Sequence, residues 1–83
     1  MKHVITALVQ NQPGVLAQIA KTLGDNNISI YSALQKTMDE VHQSAEIVLM
    51  THPARESAMQ SALKTLESSS AVREVSNFIR VEA

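Results

Sequence analysis

The hydrophobic and polar residues of the chain follow two different periods, which predict alternating strands and helices. Residues 3–10 are rich in Val and Ile and end at the polar cluster 11–14, as expected for a β-strand followed by a turn. Pro13 suits the first helical position, because its missing N–H would have no intrahelical partner there. The helix carries one apolar stripe, formed by Val15, Leu16, Ile19, Ala20 and Leu23. It ends at residues 24–27, where Gly and Asn tolerate a left-handed C-cap.

The segment that follows predicts two consecutive strands. Residues 28–36 alternate, with Ile28, Ile30, Ser32 and Leu34 on one face and Ser29, Tyr31, Ala33 and Gln35 on the other. Residues 38–40 are a polar turn, and residues 43–50 are the third strand.

The last third of the chain predicts a second helix and a fourth strand. His52 and Pro53 mark the helix start, with His52 as the cap, and residues 68–70 end the helix. Its apolar face consists of Met59, Ala62, Leu63 and Leu66. Residues 72–81 form the strand, in which Val75, Ile79 and Val81 share one face; the spacing after Val72 indicates a β-bulge.

The predicted order is therefore β-α-β-β-α-β in one domain over residues 1–83. Each helix has a single apolar stripe, so both helices are expected to cover one face of a four-stranded antiparallel sheet. This α+β two-layer sandwich is the ferredoxin-like architecture, which many unrelated functions share.

Composition narrows the classes of function. A chain of 83 residues buries only about 60% of its unfolded surface, and the absence of Cys excludes disulfides, so a homodimer or higher oligomer is expected. A net charge of −1 and two aromatic residues argue against nucleic-acid binding. The longest strictly apolar run, residues 47–50, is too short for a membrane span, and the N-terminal residues lack a signal-peptide pattern. These features favour a cytoplasmic protein with no membrane partner.

The residues that could carry catalysis or hold a metal are few. His3, His42 and His52 are scattered without the spacing of a zinc site, so no metal is expected. Gly14 and Gly24 are the only glycines, whereas dinucleotide binding needs a glycine-rich turn. We therefore predict no catalytic residues, no cofactor in this chain and no affinity for a nicotinamide.

The polar loop before the first helix is the strongest candidate for a ligand site. The first amides of a helix lack intrahelical partners and carry partial positive charge, which favours a carboxylate. Gly14 permits a ligand to approach the backbone, and the Asn11 amide offers both a donor and an acceptor. An ordinary turn and helix cap is the simpler explanation of these residues taken alone, and both interpretations stay open.

Residues 7–36, ALVQNQPGVLAQIAKTLGDNNISIYSALQK, resemble the first half of an ACT domain. In that family a strand ends in an Asn/Asp-x-Pro-Gly-Val-Leu loop, which matches residues 11–16 here. Residues 45–56 and 72–82 are similar to the C-terminal ACT domain of homoserine dehydrogenases. The resemblance implies a regulatory domain that binds a small amino acid, with threonine as the first candidate. It also implies a partner catalytic region that uses NAD or NADP.

The resemblance places the effector between this loop and the second strand, commonly at a dimer interface. Carried over to this sequence, the ligand-binding candidates are Asn11, Gly14, Val15, Leu16, Ser29 and Ile30. Ser29 departs from the asparagine that often stands there in serine-binding relatives; its hydroxyl can form a hydrogen bond but has a shorter reach.

Three alternatives share the same order of elements. An oligomerisation module without a ligand is the main one. An RNA-recognition domain would need strand aromatics. A small acylphosphatase-like enzyme would need an arginine in the first loop, and residues 10–14 contain none.

Overall fold

A computed structural model of the chain describes residues 2–39, 41 and 43–81. Within these residues the elements are β1 (Lys2–Gln10), α1 (Val15–Asp25), β2 (Ile30–Asp39), β3 (Ser44–Thr51), α2 (Glu56–Ser68) and β4 (Val72–Val81). The described strands form one antiparallel sheet in the order β2-β3-β1-β4. The predicted β-α-β-β-α-β order and ferredoxin-like sheet are confirmed.

The core lies between the sheet and one apolar face of each helix. Every second residue of β1 is buried, so that one face of the strand packs under the helices while the other does not. From the helices, Leu23 and Met59 are fully buried against it. This packing leaves the opposite face of the sheet uncovered by either helix, and we call it the open face.

The predicted alternation along β2 is confirmed for Ile30 and Tyr31 but is wrong from Ser32 onward. Ile30 pairs with Thr51 and packs against the core, but the register shifts before Ser32, which pairs with Met50. The Tyr31 hydroxyl donates a hydrogen bond to the Met50 sulfur over 3.3 Å. Tyr31, Ser32 and Leu34 therefore lie on the open face. A β-bulge inserts one residue and reverses the side on which later residues point.

Two further expectations about the second half are corrected. The helix α2 begins at Glu56 with Arg55 at its N-cap, so His52 does not cap it. The His52 amide instead donates to the Ser29 carbonyl over 2.8 Å. Local spacing could not show this contact, because it joins the residue before β2 to the residue after β3.

The bulge predicted in β4 is confirmed, with register shifts near Thr6 and Leu8 of β1. The shared face predicted for Val75, Ile79 and Val81 is wrong. Val75 pairs with the buried Ala7 and packs against the core. Ile79 and Val81 point to the open face, because each bulge adds an unpaired residue.

A polar cluster fastens the start of α2 to the sheet. His3 is buried in β1, and its Nε2 donates a hydrogen bond to Glu56 Oε2 over 3.3 Å. The Arg80 guanidinium of β4 binds the other oxygen of this carboxylate, with its Nε 3.1 Å from Oε1. The His3 ring stacks on Phe78, with ring centroids 5.1 Å apart. The cluster therefore joins β1, α2 and β4.

We expect the free energy of unfolding to decrease as the pH falls from about 4.5 toward 2. Hydrogen bonds from Arg80, and then from Gln60, lower the pKa of Glu56 from 4.5 to about 2. Because the folded pKa is the lower one, the stabilisation is fully present above the unfolded pKa and is lost as pH falls through the folded pKa. Glu56→Gln removes this carboxylate, so the variant should show a flatter pH dependence in urea titrations over that range.

Glu67→Gln is the matched control, because Glu67 is an exposed carboxylate on the same helix. It should keep the wild-type slope. Equal slopes for the two variants would contradict a stabilising role for the Glu56 carboxylate.

Candidate functional site

The loop between β1 and α1 is built around a left-handed glycine. Gly14 is the N-cap of α1 with a φ of 86°, a backbone conformation that residues with a Cβ rarely adopt. Before it, the Asn11 amide donates to the Gln43 carbonyl over 2.7 Å, which ties the loop to the start of β3. The loop is therefore held at one end of the sheet in a conformation that glycine makes accessible.

The start of α1 presents backbone amides at this loop. The Val15 amide donates to the Gln12 carbonyl over 3.3 Å, and the first intrahelical bond runs from the Gln18 amide to Gly14 over 3.0 Å. The amides of Leu16 and Ala17 lie between these two, at the positively polarised end of the helix. This geometry suits a carboxylate.

The loop candidates differ in what their side chains offer. Asn11 is half-buried, and Gly14 is exposed. Val15 is only 7% exposed and its side chain belongs to the core, so it has only its backbone to offer a ligand. Leu16 is 46% exposed and presents an apolar surface beside the loop.

The two candidates from the second strand lie far from this loop within one chain. Ile30 pairs with Thr51 at the end of β3, and Ser29 is exposed just before it. The loop follows Gln10, which pairs with Ser44 at the start of β3. The seven residue steps from Ser44 to Thr51, at about 3.3 Å each, separate the two groups by roughly 23 Å. One chain therefore does not bring the six candidates together.

An open depression of about 700 Å³ lies at the other end of the molecule from the loop. Residues 25–27 at the end of α1 and residues 53–55 before α2 contribute to its lining. It contains none of the predicted site residues and was not predicted. This concavity and the loop are thus two separate features, and the ligand chemistry described above belongs to the loop.

Comparison with known proteins shows which family has this loop and fold. The model of the ACT domain matches residues 3–70. The chain belongs to the ACT domain family. The predicted family is thereby confirmed, and the loop of residues 11–16 lies within the matched range.

This ACT domain is similar to parts of several homoserine dehydrogenases. It is 38% identical over 76 residues to the enzyme of Helicobacter pylori, covering 90% of this chain and 18% of that protein. It is 35% identical over 72 residues to that of Methylobacillus glycogenes, covering 87% of this chain and 18% of that protein. The chain thus spans less than a fifth of the length of these relatives.

Solved structures agree with these matches. The crystal structure of a homoserine dehydrogenase from Thiobacillus denitrificans superposes with a TM-score of 0.85 and 31% identity, covering 98% of this chain and 17% of that one. The regulatory subunit of aspartate kinase from Thermus flavus superposes with a TM-score of 0.59 and 18% identity, covering 94% of this chain and 48% of that one. The latter likeness shows a shared fold.

The described residues also bear on metal sites and membrane spans. Along 2–39, 41 and 43–81, no group of three His, Asp or Glu side chains is arranged to hold a metal ion. Neither helix in this part of the chain is long and apolar enough to cross a membrane. His42 lies outside the described residues.

Sequence reasoning missed the cluster of His3, Glu56 and Arg80. Glu56 is 53 positions from His3 and 24 from Arg80. No local spacing connects such residues. Two signals were present, a histidine at an inward position of β1 and a carboxylate at the first turn of α2, but only the packing of α2 on the sheet brings them together.

We expect Gly14→Ala to destabilise this ACT domain by about 1–2 kcal/mol, the cost of a left-handed backbone in a residue with a Cβ. A steric clash is not the cause of this destabilisation, because a Cβ at Gly14 would meet no atom within 4 Å. Gly24→Ala is the matched control: its site is equally open but lies in the last turn of α1. It should stabilise the domain by roughly 0.5–1 kcal/mol. Urea titration measures both, and equal shifts would contradict the role of the Gly14 backbone.

Proposed function

We propose that this ACT domain binds a small amino acid between two copies of the chain, with threonine as the first candidate. One copy contributes Asn11, Gly14, Val15 and Leu16, and the other contributes Ser29 and Ile30. Binding regulates a catalytic region of the homoserine dehydrogenase type in a cytoplasmic protein. Threonine is chosen through the resemblance to homoserine dehydrogenases.

This proposal rests on one observation: the loop candidates lie at one end of β3, and Ser29 and Ile30 lie at the other end. If the β2 strands of two copies pair antiparallel, the start of each lies beside the end of the other. Ser29 of one copy then comes to the end of the sheet that carries the other copy's loop. An antiparallel pairing thus assembles two complete sites, related by a two-fold axis.

The β2 edge is suited to such a pairing. Residues 31–36 are exposed, and β2 is an outer strand of the sheet, with backbone groups directed away from β3. Within β2, Ala33 pairs with Leu49, whereas Tyr31 contacts Met50 on the open face. Backbone hydrogen bonds and Ala33 therefore make the closest contacts in this arrangement.

The chemistry of an amino acid matches the loop. Its carboxylate accepts hydrogen bonds from the Leu16 and Ala17 amides, where the helix dipole favours negative charge. Its ammonium group donates to the side-chain carbonyl of Asn11 or to strand carbonyls. A small side chain contacts the exposed surface of Leu16. The site is open in one chain because the second copy forms its other wall.

The catalytic chemistry belongs to the partner region in this proposal. That region is an oxidoreductase that uses NAD or NADP, as the resemblance implies. The ACT domain has only two glycines, Gly14 and Gly24, and therefore lacks the glycine-rich turn of a dinucleotide site. It acts by binding the effector and the partner.

A thermal melting screen with each of the twenty amino acids tests the proposal. A ligand that binds only the folded state raises the melting temperature, and the response increases with its concentration. Threonine should give the largest shift. A screen in which no amino acid moves the transition would refute effector binding and leave an assembly module of the same fold.

Sedimentation of an edge variant tests the position of the site. Ala33→Lys places two ammonium groups near each other when β2 strands pair, so it should reduce both assembly and the ligand-induced shift. Ala20→Lys is the matched control, because Ala20 is exposed on α1. If Ala33→Lys retained wild-type assembly and ligand response, the site would not lie across β2.

A further inference from the structure

The pairing of β2 with β3 continues for one pair beyond Ile30 and Thr51. The His52 amide donates a hydrogen bond to the Ser29 carbonyl over 2.8 Å, so Ser29 and His52 are direct neighbours across the two segments. Thr51 is fully buried and Ile30 packs against the core, so the adjacent pair points the other way, to the open face. The side chains of Ser29 and His52 are both exposed there, side by side.

The imidazole of His52 is held in position although the residue is exposed. Its ring contacts the ring of Tyr31, with centroids 5.2 Å apart and planes at 49°. Tyr31 is itself held, because its hydroxyl donates to the Met50 sulfur and the Lys2 ammonium lies 5.3 Å from its ring centroid. His52 thus has a defined place beside Ser29, while its side chain stays accessible to a ligand.

We propose that His52 is a further effector-binding residue, which acts with Ser29 to bind a hydroxyl group on the side chain of the effector. The assignment rests on the proposed effector site, in which Ser29 of one copy faces the loop of the other. Paired residues on one face of a sheet have Cβ atoms about 5 Å apart. A group that bonds to the Ser29 hydroxyl therefore has the His52 imidazole next to it.

The chemistry of this pair favours a hydroxyl. A serine hydroxyl and a neutral imidazole each offer a donor and an acceptor, and a side-chain hydroxyl of the effector does the same. Such a hydroxyl donates to one group and accepts from the other. An apolar side chain of the same size would cover both groups without bonding to either, which lowers affinity. A cationic side chain would be repelled by the Lys2 ammonium, which lies in the same cluster.

Threonine satisfies both walls of the proposed site. Its Cβ carries a hydroxyl and a methyl on separate branches, so the hydroxyl meets Ser29 and His52 of one copy while the methyl contacts Leu16 of the other. Valine has the same shape, with a second methyl in place of the hydroxyl. Serine keeps the hydroxyl and lacks the methyl. Comparison of these three ligands therefore isolates the contribution of the hydroxyl.

Isothermal titration calorimetry of the 83-residue chain with threonine, serine and valine tests the proposal. The wild type should bind threonine about tenfold more tightly than valine, as expected for a hydrogen-bonded hydroxyl. His52→Ala should weaken the binding of threonine and serine by about fivefold and leave valine binding unchanged, because valine makes no hydrogen bond to the imidazole. A general loss of stability would weaken all three ligands alike, so the threonine-to-valine ratio is the decisive measurement.

Two further variants separate the imidazole from its surroundings. His52→Gln keeps a donor and an acceptor at the same position and should retain part of the preference for threonine. Asn77→Ala is the matched control, because it removes a polar side chain from the same face of the sheet, where Asn77 pairs with Thr6. It should leave all three affinities unchanged. Far-UV circular dichroism checks that each variant is folded.

Two results would overturn the role of His52 while the effector site stands. One is a wild-type chain that binds threonine and valine equally well, and the other is a His52→Ala variant that weakens both ligands by the same factor. A wild-type chain that binds none of the twenty amino acids would overturn the effector site and the role of His52 together. The two failures are therefore distinguishable.

Discussion

Replacing Leu49 by alanine should lower the free energy of unfolding by about 3 kcal/mol, within the ~2–5 kcal/mol range of buried Leu→Ala changes. Leu49 is fully buried in β3 and pairs with both Ile5 and Ala33. Truncation of the Leu49 side chain removes buried apolar surface and leaves a cavity. β3 cannot shift to close this cavity, because it is paired with β1 on one side and with β2 on the other. Urea titration at a fixed protein concentration measures the change, because assembly also contributes to apparent stability.

Leu49→Met is the matched control at the same position. It conserves volume and should cost less than about 1.5 kcal/mol. A loss of 3 kcal/mol is a large share of the roughly 5–15 kcal/mol that stabilises a typical domain, so the alanine variant should also melt at a clearly lower temperature. Equal midpoints for the two variants would mean that Leu49 does not pack as described.

A hundredfold excess of threonine over its dissociation constant should raise the free energy of unfolding by about 2.7 kcal/mol. Asn11→Ala should abolish most of this shift, because it removes the side-chain carbonyl proposed to bind the ammonium group. The unliganded fold should persist, since the backbone bond from the Asn11 amide to Gln43 needs no side chain. Melting curves with and without threonine measure both effects.

Asn77→Ala makes the same substitution on β4, where Asn77 pairs with Thr6. It should leave the ligand-induced shift unchanged. The effector proposal would be contradicted if Asn11→Ala retained the full shift, or if both variants lost it equally. In the second case the loss would reflect stability and not ligand contact.

The two predictions probe different parts of the same sheet. Leu49 lies near the middle of β3, which is also the strand that separates the two halves of the proposed site. A destabilised β3 should therefore weaken threonine binding indirectly, whereas Asn11→Ala acts at the loop alone. Comparing the two variants distinguishes a general loss of the fold from a specific loss of binding.

The sequence by itself determined the order of strands and helices, the family and the loop. Helical and strand periods depend on residues within a few positions of each other, so the stripe containing Ile19 and Leu23 and the alternation of β1 are visible in one segment. The position of the loop is similarly local, because residues 11–14 break the apolar pattern within one segment. These features required no knowledge of what packs against them.

Only the tertiary structure decided which sheet face Leu34 and Ile79 occupy. Each follows a register shift, and a shift by one residue moves every later side chain to the other face. The pairing partner sets such a shift, and it lies on another strand. The open face therefore became apparent only once the pairing was known.

The proposed site and the His3 cluster depend on the tertiary structure for the same reason. The loop at Asn11 and the residue Ser29 lie on either side of α1 in the sequence, and antiparallel pairing with β3 places them at opposite ends of the sheet. His3, Glu56 and Arg80 are distant in sequence, yet helix packing makes them neighbours. Local periodicity indicates the secondary structure that a residue favours, whereas register and packing decide which residues it contacts.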